Sequence, residues 1–170
     1  MYGLDNPSVA TSQPYKALIA QASDRERHLI SHLATLDRRI YQSYSVKVNP
    51  QNPPNVFPGK FIFVVEMVVK PELDEEFNRW YEEEHIPGIA KVPGWHRARR
   101  YKLVNRIESK AINEGLVHEY LAIHEWSHDT YTDTPEFKAT LTTPWSVKIL
   151  KEITASNTRR LAIHKDIQPI

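Results

Sequence analysis

Two histidines stand where their chemistry would count. His85 lies in Glu82-Glu83-Glu84-His85-Ile86-Pro87-Gly88, and His124 in Tyr120-Leu121-Ala122-Ile123-His124-Glu125-Trp126-Ser127-His128. Imidazole titrates near neutral pH, so each is a candidate to carry protons. Set just before a Pro-Gly break, His85 reads either as a cationic cap at a helix C-terminus or as a general acid/base projected into a cleft. Tyr81, one turn earlier, and His124 would assist it. The letters His124-Glu125-x-x-His128 match the zinc-protease motif, but that motif needs a helix, which sets both imidazoles on one face. Here the run ends a β-type segment, where positions i and i+4 lie about 13 Å apart. No metal site is expected.

The other candidates bind rather than react. Glu66 is the single charge in the apolar run Phe61–Val69. A buried carboxylate is costly unless paired, so Glu66 is either ion-paired with Arg97, Arg99 or Arg100 or a base with a raised pKa in a pocket. Arg97, Arg99 and Arg100 sit on one strand and could hold a carboxylate or phenolate; since they alternate, only some can face a site. Trp80, Tyr81, Trp126 and Trp145 suit a pocket for a flat, partly aromatic ligand, or core packing alone. Glu82-Glu83-Glu84 reads as a solvated helix face.

These residues need elements to position them. Residues 14–35 carry helical periodicity, with a restart at Ser23-Asp24-Arg25-Glu26, a capping box. Ile40 to Val48 reads as a strand, and Asn49-Pro50-Gln51-Asn52-Pro53-Pro54 as a linker. Phe61–Val69 is apolar on both faces, hence a central strand. Pro71 opens a helix with the stripe Leu73, Phe77, Trp80, Tyr81, expected to end near His85. Val92-Pro93-Gly94 is a turn. Strands follow at His96–Val104 and Glu119–Trp126, a helix capped by Thr143-Pro144 runs to about Ile153, and a last strand spans Arg159–Ile163. The order β-α-β-β-α-β is ferredoxin-like, an α+β class with an antiparallel sheet. Its four strands are expected in the order fourth, first, third, second. Tyr15 with Phe137, and Arg38-Arg39 with Arg159-Arg160, repeat at offsets of about 121–122. The expected organisation is therefore residues 1–48 as a partial first repeat, 49–59 as linker and 60–166 as a complete repeat.

Composition narrows the function. The chain has 170 residues, 22 basic and 21 acidic, a net charge of +1 and no cysteine. That balance gives no pull toward nucleic acid or anionic lipid. Thiolate catalysis and disulfides are excluded. No run is long enough to span a bilayer and no signal core opens the chain, so a cytoplasmic protein is expected.

Glu76-Phe77-x-x-Trp80-Tyr81-x-x-Glu84-His85-Ile86-Pro87, then Val92-Pro93-Gly94-Trp95-x-Arg97-x-Arg99-Arg100-Tyr101, resembles the dimeric α+β barrel superfamily. Within it the chain is similar to the ethyl tert-butyl ether degradation (EthD-like) group, over residues 60–165 and, more loosely, 12–46. The resemblance implies a homodimer around a small-molecule ligand, with four-stranded sheets packed face to face. It implies an enzyme without a cofactor, using acid/base chemistry as a cyclase, isomerase or decarboxylase on an aromatic or polyketide-like metabolite. His85, His124 and Tyr81 would be catalytic, and Glu66, Trp80, Arg97, Arg99, Trp126 and Trp145 would bind substrate. Cofactor-free monooxygenation, a non-catalytic ligand-binding or assembly role, and haem binding through one histidine are the alternatives.

Overall fold

A computed structural model describes residues 6–34, 36–53, 55–108 and 118–164. Residues 1–5, Thr35, Pro54, 109–117 and 165–166 of the expected organisation lie outside the described residues. Two compact units divide the chain: Met1–Gln42 with Lys102–Gly115, and Ser43–Tyr101 with Leu116–Ile170.

The elements are α1 (Gln13–Ala20), α2 (Asp24–His32), β1 (Asp37–Val48), β2 (Phe61–Val68), α3 (Asp74–Trp80), α4 (Ile86–Ile89), β3 (Trp95–Glu108), β4 (Tyr120–Trp126), α5 (Pro135–Thr140), α6 (Pro144–Glu152) and β5 (Ala155–Ala162). They build an α+β fold with one five-stranded antiparallel sheet in the order β1-β3-β4-β2-β5. Four of these strands keep the expected ferredoxin-like order, and β1 adds a fifth at the far edge, beside β3. In the first unit the capping box at Ser23 and Glu26 opens α2 as the sequence indicates, and Asp37 on β1 is held by Arg39 and Arg106.

Strand register decides which residues share a face, because side chains alternate. Phe63 lies opposite His124 and Arg160, Val65 opposite Ala122 and Thr158, and Met67 opposite Tyr120 and Ser156. This row faces the helices, where Met67, Tyr120, Ala122 and Trp126 pack with Phe77, Trp80, Tyr81, Ile86, Ile89 and Ile149. The other face carries Val64 with Ile123 and Arg159, and Glu66 with Leu121 and Asn157.

The helix after β2 departs from expectation. It does not stop at His85. A π-turn over Tyr81–His85 joins α3 to α4, and the Ile86 N–H donates to the Tyr81 carbonyl, one residue wider than an α-helical bond. Pro87 has no N–H to give, and its ring would crowd the preceding turn. The widened turn relieves both and lets helix continue through Pro87-Gly88 to Ile89. His85 is therefore no C-terminal cap but an interior, buried residue. The π-turn also redirects the acidic triplet. Glu82 binds Arg100, and Glu84 accepts from Thr143 at the start of α6, leaving only Glu83 exposed. The triplet is thus mostly structural, not a solvated face.

Candidate functional site

A cavity of about 600 Å³ lies within the second unit, between the sheet and the helices. Its floor is the in-register row Phe63, Val65, Met67 with His124, Arg160, Thr158 and Ser156. Its opposite wall comes from Trp80, Tyr81 and His85 across α3 and the π-turn. Tyr81 and His85 are one helical turn apart and so share a face; both line the cavity and their rings meet edge-on at 5.0 Å. His85 also stacks on Trp80 at 4.5 Å. Trp80 is fixed in turn by its indole N–H, which donates to Ser146 Oγ at 3.0 Å. Trp126 closes one end, stacked nearly parallel on Tyr131 at 4.1 Å.

For His85, His124 and Tyr81 the electrostatics are set by burial and by the Arg100 guanidinium. Burial pushes His85 down to about 3, helped by His124 and by the Arg100 guanidinium; a hydrogen bond to the Thr140 backbone works the other way. Burial and Arg100 bring His124 down to about 4. Burial pushes Tyr81 up to about 12, against the opposing pull of Arg100. Both imidazoles are neutral and the phenol is protonated at physiological pH. Arg100 lies behind the wall, only 2% exposed. It donates to Glu82 at 2.9 Å and Asn78 at 2.7 Å, with its guanidinium 4.1 Å from the centre of the Tyr81 ring.

Several polar atoms await partners. His85 Nδ1, His124 Nδ1 and Trp126 Nε1, all on cavity-lining residues, are buried without a hydrogen-bond partner among the described residues, as is the hydroxyl of Tyr131 against Trp126. Such groups are uncommon in folded proteins, and Trp95 Nε1 and Arg99 Nε, away from the cavity, are in the same state.

Of the residues proposed from sequence, the structure brings His85, His124, Tyr81, Trp80 and Trp126 together around this cavity. Glu66, Arg97, Arg99 and Trp145 do not line it. Glu66 faces the opposite side of the sheet and pairs with Arg159 at 3.0 Å, not with Arg97, Arg99 or Arg100. Arg97 and Arg99 both bind Glu125, which is fully buried and also accepts from the Gly59 N–H. Strand alternation separates Glu125 from His124, so the zinc-protease letters fall on opposite faces. Trp145 packs beneath Arg79, whose guanidinium lies 5.3 Å from its ring. Sequence reasoning missed Arg160, Thr158 and Ser156. Their signal is the i, i+2, i+4 alternation in Ser156-Asn157-Thr158-Arg159-Arg160, hidden when the strand is started at Arg159.

Residues 60–154 match the family described as Domain of unknown function (DUF4286). The chain belongs to the DUF4286 family. This DUF4286 segment contains every cavity residue named so far except those of β5. No curated protein matches the sequence. Among solved structures, an anthrone oxidase-like protein superposes with a TM-score of 0.50 at 13% identity, covering 93% of this chain and 68% of that one. A Lactobacillus acidophilus protein provisionally described as a monooxygenase gives a TM-score of 0.49 at 14% identity, covering 89% of this chain and 65% of that one. SnoaB, a cofactor-independent oxygenase from Streptomyces nogalater, gives 0.35 at 17% identity, covering 64% and 95%. The DUF4286 chain thus spans just under two thirds of the Lactobacillus protein. The likeness is one of fold.

Proposed function

We propose that this protein is a cofactor-independent small-molecule enzyme whose His85 removes a proton from a flat aromatic or polyketide-like metabolite, and that dioxygen captures the carbanion so formed. The observation that carries the reading is a buried, neutral His85 set among Trp80, Tyr81 and Trp126 in the wall of one cavity. A base held near pKa 3 accepts a proton only when negative charge arrives beside it. The enolate or phenolate being formed supplies that charge, giving an imidazolium–enolate pair in a site of low dielectric. Arg100 behind the wall favours the same anion. Trp80, Tyr81 and Trp126 hold the ring system, with His124 as a second polar contact.

Anthrone, the compound in the name of one fold neighbour, an anthrone oxidase-like protein, has this shape and an acidic CH2 between two aryl rings. In such a reaction CH2 and O2 become C=O and H2O: the carbon loses four electrons, dioxygen gains four, and the two hydrogens leave as water. Cyclisation, isomerisation and decarboxylation start from the same proton transfer but consume no oxygen.

The test is oxygen uptake with anthrone as probe, against the uncatalysed background. Wild-type protein is expected to accelerate uptake, and His85→Ala to lose about 100-fold of the acceleration while its Tm falls by only a few degrees. Proton exchange at the CH2 without oxygen uptake would retain the base and discard the oxygenase. Neither process above background would overturn the reading.

A further inference from the structure

We propose that Arg160 is the anion-recognising residue of the cavity, and that the substrate is a flat ring system carrying one fixed negative charge, such as an aromatic carboxylate. This rests on the small-molecule reading above and narrows its substrate class.

β5 carries two adjacent arginines with opposite fates. Arg159 points to the far face of the sheet, where Glu66 neutralises it at 3.0 Å. Arg160 points to the cavity and makes no ion pair among the described residues. Among the described residues it is the one cavity-lining side chain with a full charge, since His85 and His124 are held neutral, and no described carboxylate lines the space. Asp129 influences Tyr131 nearby but neither lines the cavity nor pairs with Arg160. The guanidinium lies 6.0 Å from the centre of the Tyr131 ring, which stacks on Trp126. The aromatic end of the cavity and its cation are therefore continuous.

Strand geometry supplies the rest of the recognition edge. Ser156, Thr158 and Arg160 fall at i, i+2 and i+4, so two hydroxyls and a guanidinium share one face of an exposed strand. Thr132 and Thr154 also line the cavity. The space is thus divided by chemistry: indole, phenol and imidazole rings on the helix side, hydroxyls and a cation along β5. A planar body fits the first, and a carboxylate accepting from a guanidinium fork fits the second. Arg97 and Arg99, which the sequence suggests for this role, are spent on Glu125.

Isothermal titration with 2-naphthoate and its uncharged counterpart 2-naphthamide tests the assignment. Wild-type protein is expected to favour naphthoate by about tenfold at low ionic strength, less as salt is added. Arg160→Gln should bring the two ligands within about twofold, and Arg160→Lys should keep part of the preference. Arg160 is exposed, so both variants should melt with the wild type. Equal binding of the two ligands by wild-type protein, or a preference that survives Arg160→Gln, overturns the role of Arg160 and leaves the cavity standing. If neither ligand binds wild-type protein, the substrate class and the cavity reading fall together.

Discussion

At the scale of residues, the two buried histidines tie stability to pH. His85 and His124 titrate near 3 and 4 in the folded protein, and near 6.5 when unfolded. Between those values the unfolded chain binds protons that the folded chain refuses, so stability falls as pH drops below about 6.5 and is flat above it. Each histidine contributes a slope of about 1.4 kcal/mol per pH unit in that window. His96, also lowered by burial, adds in the same direction. Urea titrations from pH 7 to 5 should show this slope, and His124→Asn should remove its share. A slope unchanged in that variant would mean that His124 is not held neutral. Glu125 gives the matching prediction for charge. Its carboxylate is fully buried between Arg97 and Arg99, so Glu125→Ala should cost about 3 kcal/mol, read from the same titrations.

At the scale of elements, the helix from Asp74 to Ile89 shows what periodicity conveys and what it hides. The stripe Phe77, Trp80, Tyr81 was legible, because i, i+3, i+4 spacing is a property of the sequence. The π-turn was not, since Pro87-Gly88 is an ordinary stop signal and only the packed helix shows how the chain accommodates the proline. The turn at Gly94 was legible and is strict. Its φ is +79°, and an added Cβ would fall 2.4 Å from Ser127 Oγ. Gly94→Ala should destabilise by about 1–3 kcal/mol from backbone strain, with the clash against Ser127 added to it, measurable as a lowered Tm. β5 was only half legible: Ser156-Asn157-Thr158 reads as loop chemistry, yet β2 recruits these residues into the sheet.

At the scale of the whole molecule, self-association is the expectation. Edge strand β1 exposes Tyr44, Val46 and Val48, alternate residues at 47%, 54% and 49% exposure. An apolar stripe on an outer strand is a template for another chain, and a two-fold homodimer is the simplest cover. Sedimentation at low micromolar concentration should report twice the monomer mass, and Val46→Lys should shift it toward monomer. A monomer at all concentrations would discard the dimer. Among the described residues, no helix is long and apolar enough to cross a membrane.

The sequence by itself determined the ferredoxin-like strand order and five of the aromatic and imidazole side chains that ring the cavity, but not the short helix α5 (Pro135–Thr140) before α6. Those follow from local periodicity, caps and turns, which a linear chain carries in full. Which way each strand faces depends on pairing register, and a shift of one residue reverses it. That is why Glu66, Arg97 and Arg99 could be proposed for the cavity and lie outside it, while Arg160, one residue from the neutralised Arg159, lies within. Only the packed sheet distinguishes the two.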